Sequence, residues 1–400
     1  MQIHELTALA RQMKASDIHI SEGLPLMFRI DGRLVTAPVQ LSADETRSLI
    51  MGLMDEAYRE AITAERIDAD FALVAPDGTR SRVNVFFQQG KAAATLRLLS
   101  DTIPTLAELS MPAVLTKLAD EPRGLILVTG PTGSGKSTTL AAMIDHINET
   151  RSDHIITIED PIEYVYRGKQ ALIHQREVGA DVPSFASALR SALREDPDVI
   201  LVGEMRDYET ISAAVTAAET GHLVMSTLHT IGAAQTIDRI IDVCPAGAQN
   251  QIRGQLAAVL RGVITQQLLP LADGQGRCAA TEILVGTDAV ANLIREGKCY
   301  QIPSILQSGA ALGMHSLNAD LARLVATGRI TREAAERCAT DKSELRNYLY
   351  PQQKRVSAAL GRYPLFIFPF FPCPRPAGGQ ATRAPGPPSW RRSRQSSPAR

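Results

Sequence analysis

The stretch that decides the fold is GLILVTGPTGSGKST, residues 124–138. Its first six residues are apolar enough to form a buried strand. The remainder satisfies the phosphate-binding pattern GxxxxGK followed by Ser or Thr, with a helix expected to begin near Lys136. Backbone amides and the helix N-terminus of such a loop converge on phosphate oxygens. We predict that Lys136 reaches the β and γ phosphates of ATP and that the Ser137 hydroxyl binds Mg²⁺. The predicted nucleotide contacts in this loop are Gly130, Pro131, Thr132, Gly133, Ser134, Gly135, Lys136, Ser137 and Thr138.

Short apolar strands and helical stretches alternate around this loop. The further strand candidates are residues 155–158, 199–202 and 223–227, and each is apolar on both faces. Strands have this composition when helices cover both sides of a parallel sheet, so we predict an α/β fold. Helical patterns dominate from 233 to 269 and again from 287 to 349.

The first hundred residues predict a separate, smaller α+β domain. Residues 3–14 are amphipathic, and 18–20 and 26–30 are strand-like. The segment FALVAPDGTRSRVNVFF indicates two strands joined at Asp77 and Gly78, followed by a third strand over 94–99. We therefore predict the following organisation: an N-terminal domain (1–103), a linker (104–121), an ATPase core (122–270), a C-terminal helical region (271–350) and a Pro- and Arg-rich tail (351–400).

The tail differs in composition from the rest of the chain. It holds ten of the 23 prolines, and we expect it to be disordered. Nine of the 42 Lys and Arg residues and none of the 43 Asp and Glu residues lie in it, which leaves a net charge of −10 for residues 1–350. An acidic body repels a nucleic-acid backbone, so we expect no nucleic-acid partner. No apolar run reaches the roughly 18 residues of a membrane span, which predicts a cytoplasmic protein without one.

Acidic residues follow two of the predicted strands. Glu204 comes soon after VILV, at the sheet edge where open α/β folds bind ligands. We predict that it acts as the catalytic base and holds water of the Mg²⁺ shell. In IEDPIEY (158–164), Glu163 is expected to share the water-positioning role, and Glu159 and Asp160 to contact nucleotide or order the loop. A structural acidic turn is the alternative for this segment.

Two histidines flank the strand LVMSTL. His222 precedes it and His229 follows it, so they lie at opposite ends of one segment. We predict that His229 senses the γ phosphate and include His222 among the nucleotide contacts. The alternative for each is a structural histidine with satisfied hydrogen bonds.

The order of these motifs resembles that of the secretion-superfamily ATPases, specifically the pilus-retraction branch. The matching segments are GPTGSGKST, IEDPIEY, DPDVILVGEMRD and AAETGHLVMSTLHT, which look like the family's Walker A, Asp box, Walker B and His box. The likeness extends from SDIHIS at residue 16 to about residue 349. A C-terminal AIRNLIRE motif of that branch reads AVANLIRE at 289–296, where Ala291 replaces an arginine.

The resemblance implies a homohexamer whose subunits combine a PAS-like N-terminal domain with a RecA-like ATPase domain. It further implies that arginines of the N-terminal domain reach the phosphates, and Arg82 and Arg97 occupy the matching positions. Outward solvation on their strands is the alternative. The expected activity is Mg²⁺-dependent hydrolysis of ATP by a ring that acts on an inner-membrane pilus platform protein and drives pilus retraction and twitching motility.

Three alternatives to that function remain at this point. One is an accessory retraction ATPase or a type II secretion ATPase, which shares the nucleotide machinery. Another is a nucleotide-dependent regulator with little turnover. A DNA-translocating motor is the third, and the acidic body disfavours it.

Overall fold

The computed structural model describes residues 2–30, 32–65, 68–75, 80–99 and 102–350. Two β-sheets organise this part of the chain, a six-stranded one in the N-terminal part (residues 2–99) and a seven-stranded one in the larger part (102–350). Residues 1–350 group into one compact unit. No helix within the described ranges combines the length and apolarity needed to cross a bilayer.

The sheet of the N-terminal part is antiparallel, with the order β3-β2-β1-β6-β5-β4. Its strands are β1 (Asp17–Ser21), β2 (Met27–Ile30), β3 (Arg33–Thr36), β4 (Ala69–Val74), β5 (Arg80–Gln88) and β6 (Lys91–Leu98), and its helices are α1 (Ile3–Gln12), α2 (Ala43–Gly52) and α3 (Glu56–Glu65). Along β5, buried residues alternate with more exposed ones, as expected for a sheet with one covered face. The structure confirms the predicted α+β character. The predicted turn at Asp77 and Gly78 lies outside the described residues.

The larger part contains a mainly parallel sheet with the order β13-β12-β7-β11-β10-β8-β9. Its strands are β7 (Gly124–Thr129), β8 (His154–Glu159), β9 (Leu172–Glu177), β10 (Val199–Val202), β11 (Leu223–Leu228), β12 (Leu260–Pro270) and β13 (Arg277–Val285). Its helices are α4 (Val114–Ala119), α5 (Lys136–Thr150), α6 (Phe185–Ala192), α7 (Tyr208–Glu219), α8 (Ala233–Asp242), α9 (Gln249–Val259), α10 (Asp288–Arg295), α11 (Ile302–Ser308), α12 (Leu317–Ala326), α13 (Arg332–Cys338) and α14 (Lys342–Leu349).

Both faces of this sheet are covered. Every residue of β7, β10 and β11 is buried, and alternate residues of β7 belong to different hydrophobic clusters: Leu125 and Leu127 to one, Ile126 and Val128 to the other. This confirms the prediction drawn from apolar strands without alternation. Because β7, β8, β10 and β11 run parallel, the loops that follow them meet at one edge of the sheet.

Two predicted helical assignments are wrong. Residues 260–269 were expected to be helical and instead form β12, which pairs in parallel with β7 and antiparallel with β13. Residues 277–285, within the region predicted as helical from 271, form β13 and complete the same sheet. The apolar run at 260–269 fits a helix as well as a strand by periodicity, and pairing with β7 decides for the strand. Helices dominate from α10 onwards, as predicted for 287–349.

Candidate active site

The phosphate-binding loop connects β7 to α5. Gly130, Gly133 and Gly135 have φ angles of 139°, 77° and 88°, values that residues with side chains rarely adopt. The Lys136 ammonium group is buried and donates to the carbonyl oxygens of Gly130 at 2.9 Å and Pro131 at 3.1 Å. Burial lowers the pKa of Lys136, while the nearby Glu204 and Glu163 act to raise it. The loop thus places a cation among its own carbonyls, beside two carboxylates.

A side chain of β12 braces this loop from behind. The Gln266 amide donates to the carbonyl oxygen of Ser134 at 2.7 Å and accepts from the Thr139 hydroxyl at 2.9 Å. The backbone of the same residue is also close, because a Cβ atom on Gly130 would lie 2.2 Å from the backbone carbonyl oxygen of Gln266. Gln266 was not among the predicted site residues, because its partners lie more than 120 positions earlier in the chain.

Glu204 and His229 follow adjacent parallel strands, β10 and β11, and meet at the predicted edge. The His229 Nε2 atom lies 3.6 Å from Glu204 Oε2, and the Arg206 Nε atom lies 2.6 Å from that same oxygen. Glu204 is largely buried and Arg206 is largely exposed. Arg206, absent from our predicted site, stands two residues after Glu204 in the quoted motif. A carboxylate held this way faces the loop that carries Lys136 and Ser137.

The acidic segment after β8 closes another wall. The Glu159 carboxylate accepts hydrogen bonds from the Thr157 hydroxyl at 2.7 Å and the Gln175 amide at 3.2 Å, and burial raises the pKa of Glu159. Glu163 is exposed. The Tyr164 hydroxyl lies 2.9 Å from the Thr138 hydroxyl on α5, which ties the acidic segment to the phosphate loop.

These groups surround one cavity of about 320 Å³. Its walls include ten of the residues predicted from the sequence: Arg82, Thr132, Gly133, Lys136, Ser137, Glu159, Asp160, Glu163, Glu204 and His229. Arg82 belongs to the N-terminal part, so the cavity has walls from both parts of the chain. Its glycine-rich loop and cations suit a polyphosphate, and its hydroxyl and carboxylate oxygens suit a hydrated Mg²⁺.

Seven predicted residues are not among those that line this cavity. Arg97 and His222 lie elsewhere in the fold, whereas the other five belong to the phosphate loop itself: Gly130, Pro131, Ser134, Gly135 and Thr138. Arg97 on β6 is the backbone partner of Arg82 on β5, but its guanidinium pairs with the Asp17 carboxylate at 2.9 Å. His222 precedes β11, so it lies at the opposite edge of the sheet from the phosphate loop. Its Nδ1 atom is 2.9 Å from the carbonyl oxygen of Ala217, at the end of α7. A strand of six residues spans about 20 Å, which corrects the prediction that His222 contacts nucleotide.

A family model for type II/IV secretion system proteins matches residues 2–356. The chain belongs to this family. This type II/IV secretion system protein is 51% identical over 337 residues to the type IV pilus retraction ATPase PilT of Pseudomonas aeruginosa. The aligned residues cover 84% of this chain and 97% of the relative. It is also 51% identical over 321 residues to a twitching motility protein of Neisseria gonorrhoeae, covering 80% and 85% of the two chains.

A solved structure also resembles this type II/IV secretion system protein. The crystal structure of the pilus retraction motor PilT with bound ADP superposes with a TM-score of 0.81 at 47% sequence identity. The match covers 87% of this chain and 99% of that one. It therefore includes the N-terminal part as well as the larger part, and it agrees with the predicted α/β fold built on a parallel sheet.

Proposed function

We propose that this chain is an ATP-hydrolysing motor that drives type IV pilus retraction and twitching motility. The observation that carries the proposal is the assembly of the phosphate loop, Glu204, His229 and the acidic segment around one cavity. The likeness to a retraction ATPase over nearly that relative's whole length supports the assignment of the motor to pili.

In the proposed reaction, the amides of residues 130–138 and the Lys136 ammonium group bind the β and γ phosphates. Mg²⁺ would be held by the Ser137 hydroxyl and, through water, by Glu204, and when bound it would neutralise charge on the phosphates. Glu204 orients the attacking water and accepts its proton, and Glu163 assists in placing that water. Arg82 adds a positive charge from the N-terminal part, which stabilises the charge of the transition state.

We further propose that the chain works as a homohexamer assembled head to tail on the cytoplasmic side of the inner membrane. Its partner would be a platform protein at the base of the pilus. The N-terminal and larger parts both line the nucleotide cavity, so binding and hydrolysis of ATP can alter how the two parts pack against each other. That change is the movement by which the ring would act on the platform.

The assignment to retraction is tested by complementation. The recipient is a Pseudomonas aeruginosa strain lacking PilT that keeps surface pili but cannot twitch. We expect this chain to restore twitching and its Lys136→Ala variant to fail, since the variant loses the phosphate contact. Rescue by both would contradict the motor function. Rescue confined to a strain lacking the accessory retraction ATPase would instead favour the accessory role.

A further inference from the structure

An ion pair joins the two parts of the chain beside the nucleotide cavity. Arg80 is the first residue of β5, in the N-terminal part, and Glu177 is the last residue of β9, in the larger part. The Arg80 Nη2 atom lies 2.5 Å from Glu177 Oε2. The two side chains are only 19% and 12% exposed, so solvent screens this pair less than a surface ion pair.

The same carboxylate oxygen also holds the acidic segment. Glu177 Oε2 accepts a hydrogen bond from the backbone amide of Ile162 at 3.2 Å. The backbone around Glu177 is itself fixed, because its amide donates to the Asp181 carboxylate at 2.8 Å and the next amide donates to the carbonyl oxygen of Glu159 at 2.9 Å. One oxygen atom on a fixed strand end therefore contacts both a guanidinium of the N-terminal part and the segment 160–164.

Each of these contacts is adjacent to a group that lines the nucleotide cavity. Arg82 lies two residues after Arg80, on the same face of β5 and about 7 Å along the strand, and it lines the cavity. Glu163 directly follows Ile162 and lines the cavity as well. Neither Arg80 nor Glu177 belongs to that lining, and both instead line a neighbouring cavity between the two parts.

We propose that Arg80 and Glu177 form a positioning pair that couples the seating of the N-terminal part to the placement of Glu163. When Arg80 engages Glu177, strand β5 presents Arg82 to the cavity while the same carboxylate holds the Ile162 amide. Arg82 and Glu163 then reach their positions in the nucleotide cavity together. The proposal rests on the function proposed above, and it explains how docking of the N-terminal part switches on chemistry at a site whose phosphate loop is already formed.

The test measures steady-state hydrolysis and nucleotide affinity separately, in full-length protein. In Glu177→Gln and Arg80→Ala we expect kcat to fall about tenfold or more, because misplacement near the reacting atoms is costly. We expect the Kd for ADP to stay within about threefold, because the contacts of residues 130–138 are intact. Arg80→Lys keeps the charge without the planar fork and should give an intermediate kcat.

The neighbouring residue on β9 supplies a matched control. Arg176 Nη1 lies 2.8 Å from Glu195 Oε1, and this pair stays within the larger part, with side chains 26% and 35% exposed. Arg176→Ala should leave kcat within about twofold of the wild type. A double-mutant cycle adds a readout that general destabilisation does not reproduce: combining Arg80→Ala with Glu177→Gln should cost kcat little more than either change alone.

The possible results separate this proposal from the proposed function. The positioning role of the pair would be overturned by any of three results. These are a wild-type kcat in Glu177→Gln, additive losses of kcat in the double-mutant cycle, and a loss of kcat in the Arg176→Ala control equal to that in the pair variants. A fall in kcat matched by an equal loss of ADP affinity would also overturn it, since the cavity itself would then be damaged. A wild-type protein that binds Mg·ATP but does not hydrolyse it would overturn the proposed function, and the pair with it.

Discussion

At the residue scale, Gly130 and Gly133 experience different constraints within one loop. A Cβ atom at Gly130 would lie 2.2 Å from the carbonyl oxygen of Gln266, whereas one at Gly133 would meet no atom within 4 Å. Both have positive φ, which costs a residue with a side chain about 1–2 kcal/mol. We predict that Gly130→Ala abolishes measurable ADP binding and that Gly133→Ala weakens it about tenfold, as titration with a fluorescent nucleotide would show. Equal affinities for the two variants would contradict this difference.

Most residues of the candidate site could be predicted because their signal is local. The loop 130–138 and the acids after β8 and β10 sit in contiguous motifs, and motif order indicated that they would meet at one sheet edge. Gln266 and the Arg80–Glu177 pair could not be found in this way, because their contacts join segments far apart in the chain. His222 precedes its strand, so the rule that ligands bind at the carboxyl ends of parallel strands already indicated a position away from the phosphate loop.

At the element scale, β12 determines the shape of the phosphate loop through Gln266. Gln266→Ala would leave the Ser134 carbonyl and the Thr139 hydroxyl without their buried partner, each at a cost of about 1–3 kcal/mol. We predict that this variant binds ADP at least tenfold more weakly than the wild type. Thr265→Val is the control, since it removes a buried hydrogen bond between the same strand, β12, and Thr129 at the end of β7, but leaves the Ser134 carbonyl and the Thr139 hydroxyl with their Gln266 partner. Unchanged affinity in Gln266→Ala would show that β12 does not brace the loop.

His315, which contacts Thr281 on β13, should make the free energy of unfolding depend on pH. His315 is largely buried, its Nε2 atom lies 2.9 Å from the Thr281 hydroxyl, and burial lowers its pKa. The unfolded chain therefore binds a proton from about pH 6.5 downward, while the folded chain binds it only at lower pH. Stability is lost as the pH falls from 6.5 towards the lowered pKa. We predict that the thermal midpoint of His315→Gln falls less between pH 6.5 and 5.5 than that of the wild type. Equal falls would contradict this assignment.

The elements that could be predicted are those with one clear pattern. β7, β10 and β11 are short and buried on both faces, and few other structures produce that composition. β3 has four exposed residues and so gives no alternation to detect. β12 was taken for a helix because its apolar spacing satisfies both periods, and its strand conformation depends on pairing with β7, which lies far away in sequence.

At the scale of the whole molecule, residues 2–350 contain every group that we place at the site. The tail from 351 to 400 lies outside the described residues. We predict that a chain ending after Tyr350 hydrolyses ATP at the rate of the full-length protein, because no proposed contact involves the tail. Steady-state turnover of the two purified proteins, with thermal midpoints as a control for folding, checks this. A large loss of turnover in a folded truncated protein would assign the tail a role in the motor.

The central claim is that ATP held by residues 130–138 is cleaved with the help of Glu204. The most direct test is the steady-state hydrolysis rate of Glu204→Gln, measured together with its affinity for nucleotide. Because the amide cannot accept the proton of the attacking water, we expect turnover to fall about 10²- to 10⁴-fold while nucleotide affinity stays near that of the wild type. A Glu204→Gln protein that hydrolyses ATP as fast as the wild type would contradict the account.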